Sequence, residues 1–114
     1  ISLFQTGDYK AAIESFAGIL KDYPATDAAI PETRLWLGKS LIASGDTDNG
    51  ILEVLKVPVL YPGSPFIAEA YAEAARGYEK LKNINKSRMM YEEVLKANPT
   101  PEFKAEAEAA LKKP

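Results

Sequence analysis

The chain carries one short sequence pattern three times, and this periodicity constrains its fold more than any other feature. Each copy closes on a proline, and the three prolines lie 38 and 37 residues apart, at Pro24, Pro62 and Pro99. A small residue keeps the same two spacings at Ala12, Gly50 and Ser87. A period of about 20–50 residues is typical of stacked supersecondary units that bury their apolar faces against one another. The pattern therefore favours a repeat protein, and a binding scaffold over an enzyme.

Apolar residues recur at steps of three and four through most of the chain, which indicates amphipathic helices. Leu37 and Leu41 are four residues apart, for example, as are Ala74 and Tyr78. The spacing and the turn residues predict helices over 1–6, 8–22, 27–44, 47–60, 65–81, 84–97 and 102–112. Because the loops between them are short, we expect consecutive helices to be antiparallel neighbours. The predicted fold class is all-α.

Capping and turn residues agree with these boundaries. Short polar side chains that accept hydrogen bonds from free first-turn amides are expected at Asp8, Asp46, Asn83 and Thr26. Two further helices are expected to start with a capping residue followed by proline, at Ser64-Pro65 and Thr100-Pro101. Gly7 and Gly45 suit tight turns that need a positive φ, and Lys82 takes this place in the third unit.

One residue conflicts with the helix map. Pro58 lies inside the helix predicted over 47–60, where it removes a backbone hydrogen bond and its ring meets the carbonyl of Val54. We therefore predict a kink or an early end of this helix near Val57.

Composition narrows the function. The 114 residues fit one domain, and the formal net charge of −2 gives no basis for nucleic-acid binding. The chain has no cysteine and no histidine, so we expect no enzymatic activity, no metal site and no cofactor. No stretch approaches the roughly 18 apolar residues of a membrane span. The chain starts inside the first copy of the pattern, so it is expected to be a fragment or a processed chain.

The repeated residues resemble the tetratricopeptide repeat, a helix–turn–helix unit of about 34 residues with Leu-Gly in its first helix, Ala-x3-Phe in its second and a closing proline. The second unit here carries Leu37-Gly38, Gly50-x3-Val54 and Pro62, although Arg34 replaces the usual aromatic residue. The resemblance implies a right-handed superhelix of antiparallel helix pairs with about three repeats. A single domain is expected, with a truncated unit over 1–25, units over 26–63 and 64–99, and a terminal helix over 100–114.

The repeats are three to four residues longer than usual, and Tyr-Pro-x-Ser/Thr occurs twice, from Tyr23 and from Tyr61. This sequence is similar to a long-repeat subgroup from bacterial cell-envelope proteins. The subgroup includes the periplasmic partner of the Tol-Pal system and the lipoprotein of the outer-membrane β-barrel assembly machine. The resemblance implies a periplasmic or envelope-associated location and a role in an envelope complex.

The resemblance also implies a concave face, lined by the first helix of each unit, that takes a peptide or a partner's helix. The residues expected to project there are Glu32, Leu35, Lys39, Ile42, Glu69, Ala72, Arg76 and Glu79. Lys39 and Arg76 would hold a carboxylate or a backbone carbonyl, or would only solvate the face. Trp36 would fill the core between repeats or serve as a ligand platform.

The resulting hypothesis is a non-enzymatic scaffold that binds a protein or peptide in this groove, without nucleic acid and without a membrane span. The alternative is a structural module that self-associates through an exposed repeat end into a homo-oligomer, because an uncapped end of a repeat stack leaves apolar side chains uncovered.

Overall fold

The computed structural model describes residues 9–23 and 29–112. This part of the chain forms six α-helices and no strand, so the all-α prediction is confirmed. The helices are α1 (Tyr9–Asp22), α2 (Ile30–Ser44), α3 (Thr47–Leu60), α4 (Ile67–Lys80), α5 (Ile84–Lys96) and α6 (Pro101–Lys112). The helix predicted over 1–6, the caps at Asp8 and Thr26, and the turn at Gly7 lie outside the described residues.

Each helix packs against the next one along the chain, and α4 also contacts both α2 and α6. Helices α2 and α3 form one pair, and α4 and α5 form the next. Helix α1 is the second helix of the preceding unit, and α6 is the first helix of the following one. This order is that of a helical repeat with about three units, and it places α2, α4 and α6 side by side.

The core consists of two apolar clusters, and each of them includes two alanines of α4. The first joins α2, α3 and α4 through Leu35, Ile42, Ile51, Val54, Val57, Ala70 and Ala74. The second joins α4, α5 and α6 through Ala72, Ala75, Tyr91, Val94 and Ala107. Alanine dominates the buried face of α4, so this helix fits closely between its neighbours on both sides.

Small residues bring the helices of each pair into close contact. A Cβ atom added to Gly38 would lie 2.8 Å from the carbonyl oxygen of Gly50, and one added to Gly50 would lie 2.7 Å from that of Gly38. The equivalent residues of the next pair are Ala75 and Ser87, and here the Ser87 hydroxyl donates a hydrogen bond to the Ala75 carbonyl over 3.0 Å. The small residues at this spacing therefore set the distance between paired helices.

Helix starts differ from the prediction where proline is involved. Helix α2 begins at Ile30 rather than residue 27 and has Pro31 in its first turn. Helix α4 begins at Ile67 rather than Pro65, because the Ser64 hydroxyl accepts its hydrogen bond from Phe66 N–H, ahead of the helix. Helix α6 begins at Pro101, as the Thr100-Pro101 pattern predicted and one residue before the predicted range of 102–112.

Of the caps predicted at Asp8, Asp46, Asn83 and Thr26, the two that fall on described residues, Asp46 and Asn83, behave differently. The Asn83 side chain accepts a hydrogen bond from the N–H of Lys86 over 3.2 Å, so this cap is confirmed. Asp46 occupies the N-cap position of α3, but its carboxylate accepts from the Asn49 side-chain amide instead of a backbone amide. The predicted position is right and the predicted hydrogen bond is wrong.

The turns between paired helices use a positive φ, as predicted. Gly45 has a φ of 103°, and Lys82, 37 residues later, has a φ of 61°. Glycine adopts this conformation without a steric penalty, whereas a residue with a Cβ atom does not. The second turn therefore keeps the shape of the first at some cost in backbone strain.

Pro58 does not end its helix early, so this part of the prediction is wrong. Helix α3 continues to Leu60, and the N–H of Tyr61 closes its last turn on the carbonyl of Val57. Val57 is fully buried in the core, and this packing holds the last turn in place although Pro58 has no amide hydrogen to donate.

We expect Gly38→Leu to lower the free energy of unfolding by about 1–3 kcal/mol, because the added side chain meets Val54 and the Gly50 backbone. Gly18 of α1 provides the matched control, since a Cβ atom there would meet no atom of the described residues within 4 Å beyond its chain neighbours and the backbone of its own helix. Gly18→Ala should stabilise the protein by about 0.5–1 kcal/mol. Urea unfolding of both variants checks the contact, and equal stability of Gly38→Leu and the parent would contradict it.

Candidate functional site

The first-helix face is the surface formed by the side chains that α2, α4 and α6 present along their shared side. Five of the eight residues predicted for the groove reach the surface, at Glu32, Lys39, Glu69, Arg76 and Glu79. They carry charges of both signs. The face is thus polar, and its apolar part differs from the prediction.

Three residues predicted to project into the groove are buried instead. Leu35 and Ala72 are each 1% exposed, and Ile42 is 6% exposed. Leu35 and Ile42 belong to the cluster between α2, α3 and α4, and Ala72 belongs to the cluster between α4, α5 and α6. Neighbouring first helices lie close enough to cover these positions, so no apolar stripe remains there for a ligand.

Lys39 already has an anionic partner within the protein. Its Nζ atom lies 2.8 Å from Oε2 of Glu69, and the ion pair joins α2 to α4. The same Nζ lies 4.3 Å from the ring centroid of Trp36, which is half-buried beside it. The lysine is therefore held by a carboxylate and an aromatic face together.

Arg76 makes the corresponding contacts one unit later. Its Nε donates to Oε2 of Glu106 over 2.7 Å, and a second guanidinium nitrogen contacts Oε1 of the same carboxylate. A third nitrogen donates to Glu73, on its own helix, over 3.1 Å. The hydrogen bond to Glu106, together with the negative charges of Glu73 and Glu106, raises the pKa of Arg76, so this residue stays charged.

The two ion pairs are copies of one contact. Lys39 and Arg76 are 37 residues apart, as are Glu69 and Glu106, and each cation precedes its carboxylate by 30 residues. The repeat thus includes a cation on one first helix and a glutamate on the next. We call Lys39–Glu69 and Arg76–Glu106 the cross-repeat ion pairs; they were not predicted, although the two equal spacings are visible in the sequence.

A tyrosine joins the second ion pair to the end of α4. The Tyr91 hydroxyl donates to Oε1 of Glu79 over 2.7 Å and lies 3.5 Å from Oε2 of Glu106. Burial is the main cause that raises the pKa of Tyr91, and the hydrogen bond to Glu79 and the two negative charges add to it. The phenol stays protonated and keeps Glu79 in place.

Two further basic residues stabilise the framework of the site. Lys80 donates to the carbonyl of Ile42 over 3.3 Å and so covers the carboxyl end of α2. Arg34, which replaces the aromatic residue usual in the repeat, donates to both oxygens of Glu53 over 3.2 and 3.3 Å and ties α2 to α3. Both contacts are structural.

A second candidate surface lies on the other side of the pairs. An open cleft of about 750 Å³ runs between α1 and α3 over the floor of α2, and its walls are mainly apolar. Three exposed apolar residues of α3 line it: Leu52, Val59 and Leu60, of which Val59 is 74% exposed. Exposed apolar surface of this kind is typical of interaction sites. This cleft was not predicted, because a helix with apolar residues on two faces has the sequence pattern of a buried helix.

The described part of the chain contains no group of three or more acidic side chains arranged to hold a metal ion. None of its helices is long and apolar enough to cross a membrane.

We expect Glu106→Gln to lower the free energy of unfolding by about 1 kcal/mol, because the ion pair is only partly buried. The matched control is Glu108→Gln on the same helix, which should change stability by less than about 0.3 kcal/mol. A double-mutant cycle of Arg76→Gln with Glu106→Gln measures the coupling, which salt should reduce. Zero coupling at low salt would contradict the cross-repeat contact.

The raised pKa of Tyr91 predicts a loss of stability at high pH. The unfolded state releases this proton near the ordinary value of 10.0, whereas the folded state keeps it to higher pH. The contribution of Tyr91 to the free energy of unfolding is therefore fully present below pH 10. It falls above pH 10, by at most about 1.4 kcal/mol per pH unit. Urea unfolding from pH 9 to 11 should show a smaller decline for Tyr91→Phe than for the parent, whereas Tyr23→Phe, at an exposed tyrosine, should keep the parent's decline.

Sequence comparisons agree with the fold. Two family models, both described as tetratricopeptide repeat, match residues 1–26 and residues 68–101. No curated protein matches the chain. The matched segments lie in the first unit and the third. Between them, helices α2 and α3 form the same kind of helix pair. The chain is a tetratricopeptide repeat protein.

Proposed function

We propose that this protein is a non-enzymatic scaffold that binds a protein or peptide partner on its first-helix face. Tetratricopeptide repeats generally mediate protein–protein interaction, which supports the scaffold role. The observation that favours this particular face is its continuity. Three successive first helices contribute partly exposed charged side chains to it, and the cross-repeat ion pairs fix their relative positions. A partner segment lying across the helices would meet polar groups held in defined places.

Partner capture with blocked surfaces tests this proposal. Glu32→Trp/Glu79→Trp places bulky side chains at two exposed positions on the first-helix face, so it hinders any ligand there whatever its charge. Leu52→Ser/Val59→Ser removes the exposed apolar side chains of the outer cleft and leaves the first-helix face unchanged. The melting temperature of the cleft variant should stay close to that of the parent, and that of the first-helix variant should fall slightly, because Glu79→Trp removes the acceptor of the Tyr91 hydrogen bond.

We expect a partner that the parent protein retains to be lost by the first-helix variant and kept by the cleft variant. The reverse result would move the binding site to the outer cleft and refute the proposed face. Retention by both variants would refute both surfaces.

The alternative function is self-association. The observation that favours it is the outer cleft, where Leu52, Val59 and Leu60 together leave apolar surface exposed. Sedimentation velocity over a hundredfold range of concentration separates the alternatives. A concentration-dependent dimer that Leu52→Ser/Val59→Ser abolishes would support self-association, and a monomer throughout would support the scaffold that binds other proteins.

We further propose that the protein acts in the bacterial cell envelope. The support for this is the length of the repeats and the Tyr-Pro-x-Ser/Thr sequences at Tyr23 and Tyr61. Fractionation of source cells tests the location, and recovery in the cytosol would refute it.

A further inference from the structure

The charges of the first-helix face do not balance. Along α2 and α4, together with Glu106 of α6, the face carries five carboxylates against three cations, a formal net charge of −2. The carboxylates are those of Glu32, Glu69, Glu73, Glu79 and Glu106, and the cations are those of Lys39, Arg76 and Lys80. This imbalance bears on the chemistry of a partner.

All three cations have partners within the protein. Lys39 is paired with Glu69, Arg76 is paired with Glu73 and Glu106, and Lys80 donates to the Ile42 carbonyl. An acidic ligand would have to displace a glutamate from each arginine or lysine it used. The face therefore does not favour a partner that brings carboxylates.

Two carboxylates remain open to a partner. Glu32 is exposed and has no ion pair or hydrogen bond to any residue in the described ranges. Glu79 is also exposed, and the Tyr91 hydroxyl uses only its Oε1 atom. Glu32 is the counterpart of Glu69 and Glu106 one unit earlier, and in the sequence Ser2 stands 30 residues before it, where Lys39 and Arg76 stand before those two glutamates.

These two carboxylates lie at opposite ends of the face. Lys39 follows Glu32 by seven residues on α2, and its contact with Glu69 places that residue of α4 between the levels of Glu32 and Lys39. Glu79 follows Glu69 by ten residues, so it lies about 15–25 Å beyond Glu32 along the helices, at a rise of about 1.5 Å per residue. With an axis separation of about 8–10 Å between packed helices, the diagonal from Glu32 to Glu79 is roughly 17–27 Å. An extended chain spans this distance in about five to eight residues.

We propose that the first-helix face binds an extended segment of a partner protein that carries two lysine or arginine residues about five to eight positions apart. One cation pairs with Glu32 and the other with Glu79, while the backbone between them crosses the Lys39–Glu69 pair beside Trp36. The inference rests on the proposed function and adds to it the charge and spacing of the ligand.

The probe is a synthetic decapeptide of serine and alanine with two arginines about six positions apart. Trp36, the single tryptophan of the chain, lies next to the expected path and reports binding by its fluorescence. A matched peptide with glutamate in place of both arginines, and another with the arginines two positions apart, test charge and spacing. We expect the first peptide to bind at least about fivefold more tightly than either control, and less tightly in 0.5 M salt.

The variant Glu32→Gln/Glu79→Gln removes both charges and keeps the size of the side chains. It should weaken binding of the arginine peptide at least about fivefold, whereas Glu102→Gln/Glu108→Gln, on exposed positions of α6, should leave it unchanged. Unaltered affinity of the first variant, no binding of the peptide at millimolar concentration, or tighter binding of the glutamate peptide would each overturn the inference. Because the bulky variants in the capture experiment block this face for ligands of any charge, failure here leaves the proposed function separately testable.

Discussion

The structure depends on the short distance between the two helices of each pair. At Gly38 and Gly50 the carbonyl oxygen of each helix occupies space that a side chain on the other would need. At the equivalent positions one unit later the helices are again close, and the Ser87 hydroxyl donates a hydrogen bond to the Ala75 carbonyl. This spacing brings Leu35 and Val54 into one core and places successive first helices next to each other. A larger residue at these positions would therefore disturb the core and the first-helix face together.

The same period organises the charges. Because the unit repeats every 37 residues at this point of the chain, a lysine or arginine on one first helix meets a glutamate on the next, once at Lys39 and Glu69 and again at Arg76 and Glu106. In these pairs the lysine and the arginine are already bound to glutamates, so they are not available to an acidic ligand. They hold the helices in register, and they leave the outermost carboxylates, Glu32 and Glu79, as the groups open to a partner.

The local pattern predicted the helices well, because spacing and turn residues act over a few neighbours. The turn at Gly45 and the cap at Asn83 followed from their own chemistry. The burial of Leu35 and Ile42 did not, since it depends on how closely α4 approaches α2, which a single helix does not reveal. The continuation of α3 past Pro58 likewise depends on the burial of Val57. The binding role of the face remains a prediction.

Site-specific photo-crosslinking in the source cells would show whether the first-helix face contacts the partner. A benzophenone amino acid would replace Glu32, Glu79 or, on the outer cleft, Val59; all three positions are exposed. We expect a crosslinked partner of the same mass from positions 32 and 79 and none from position 59. A partner crosslinked from position 59 alone would contradict binding on the first-helix face.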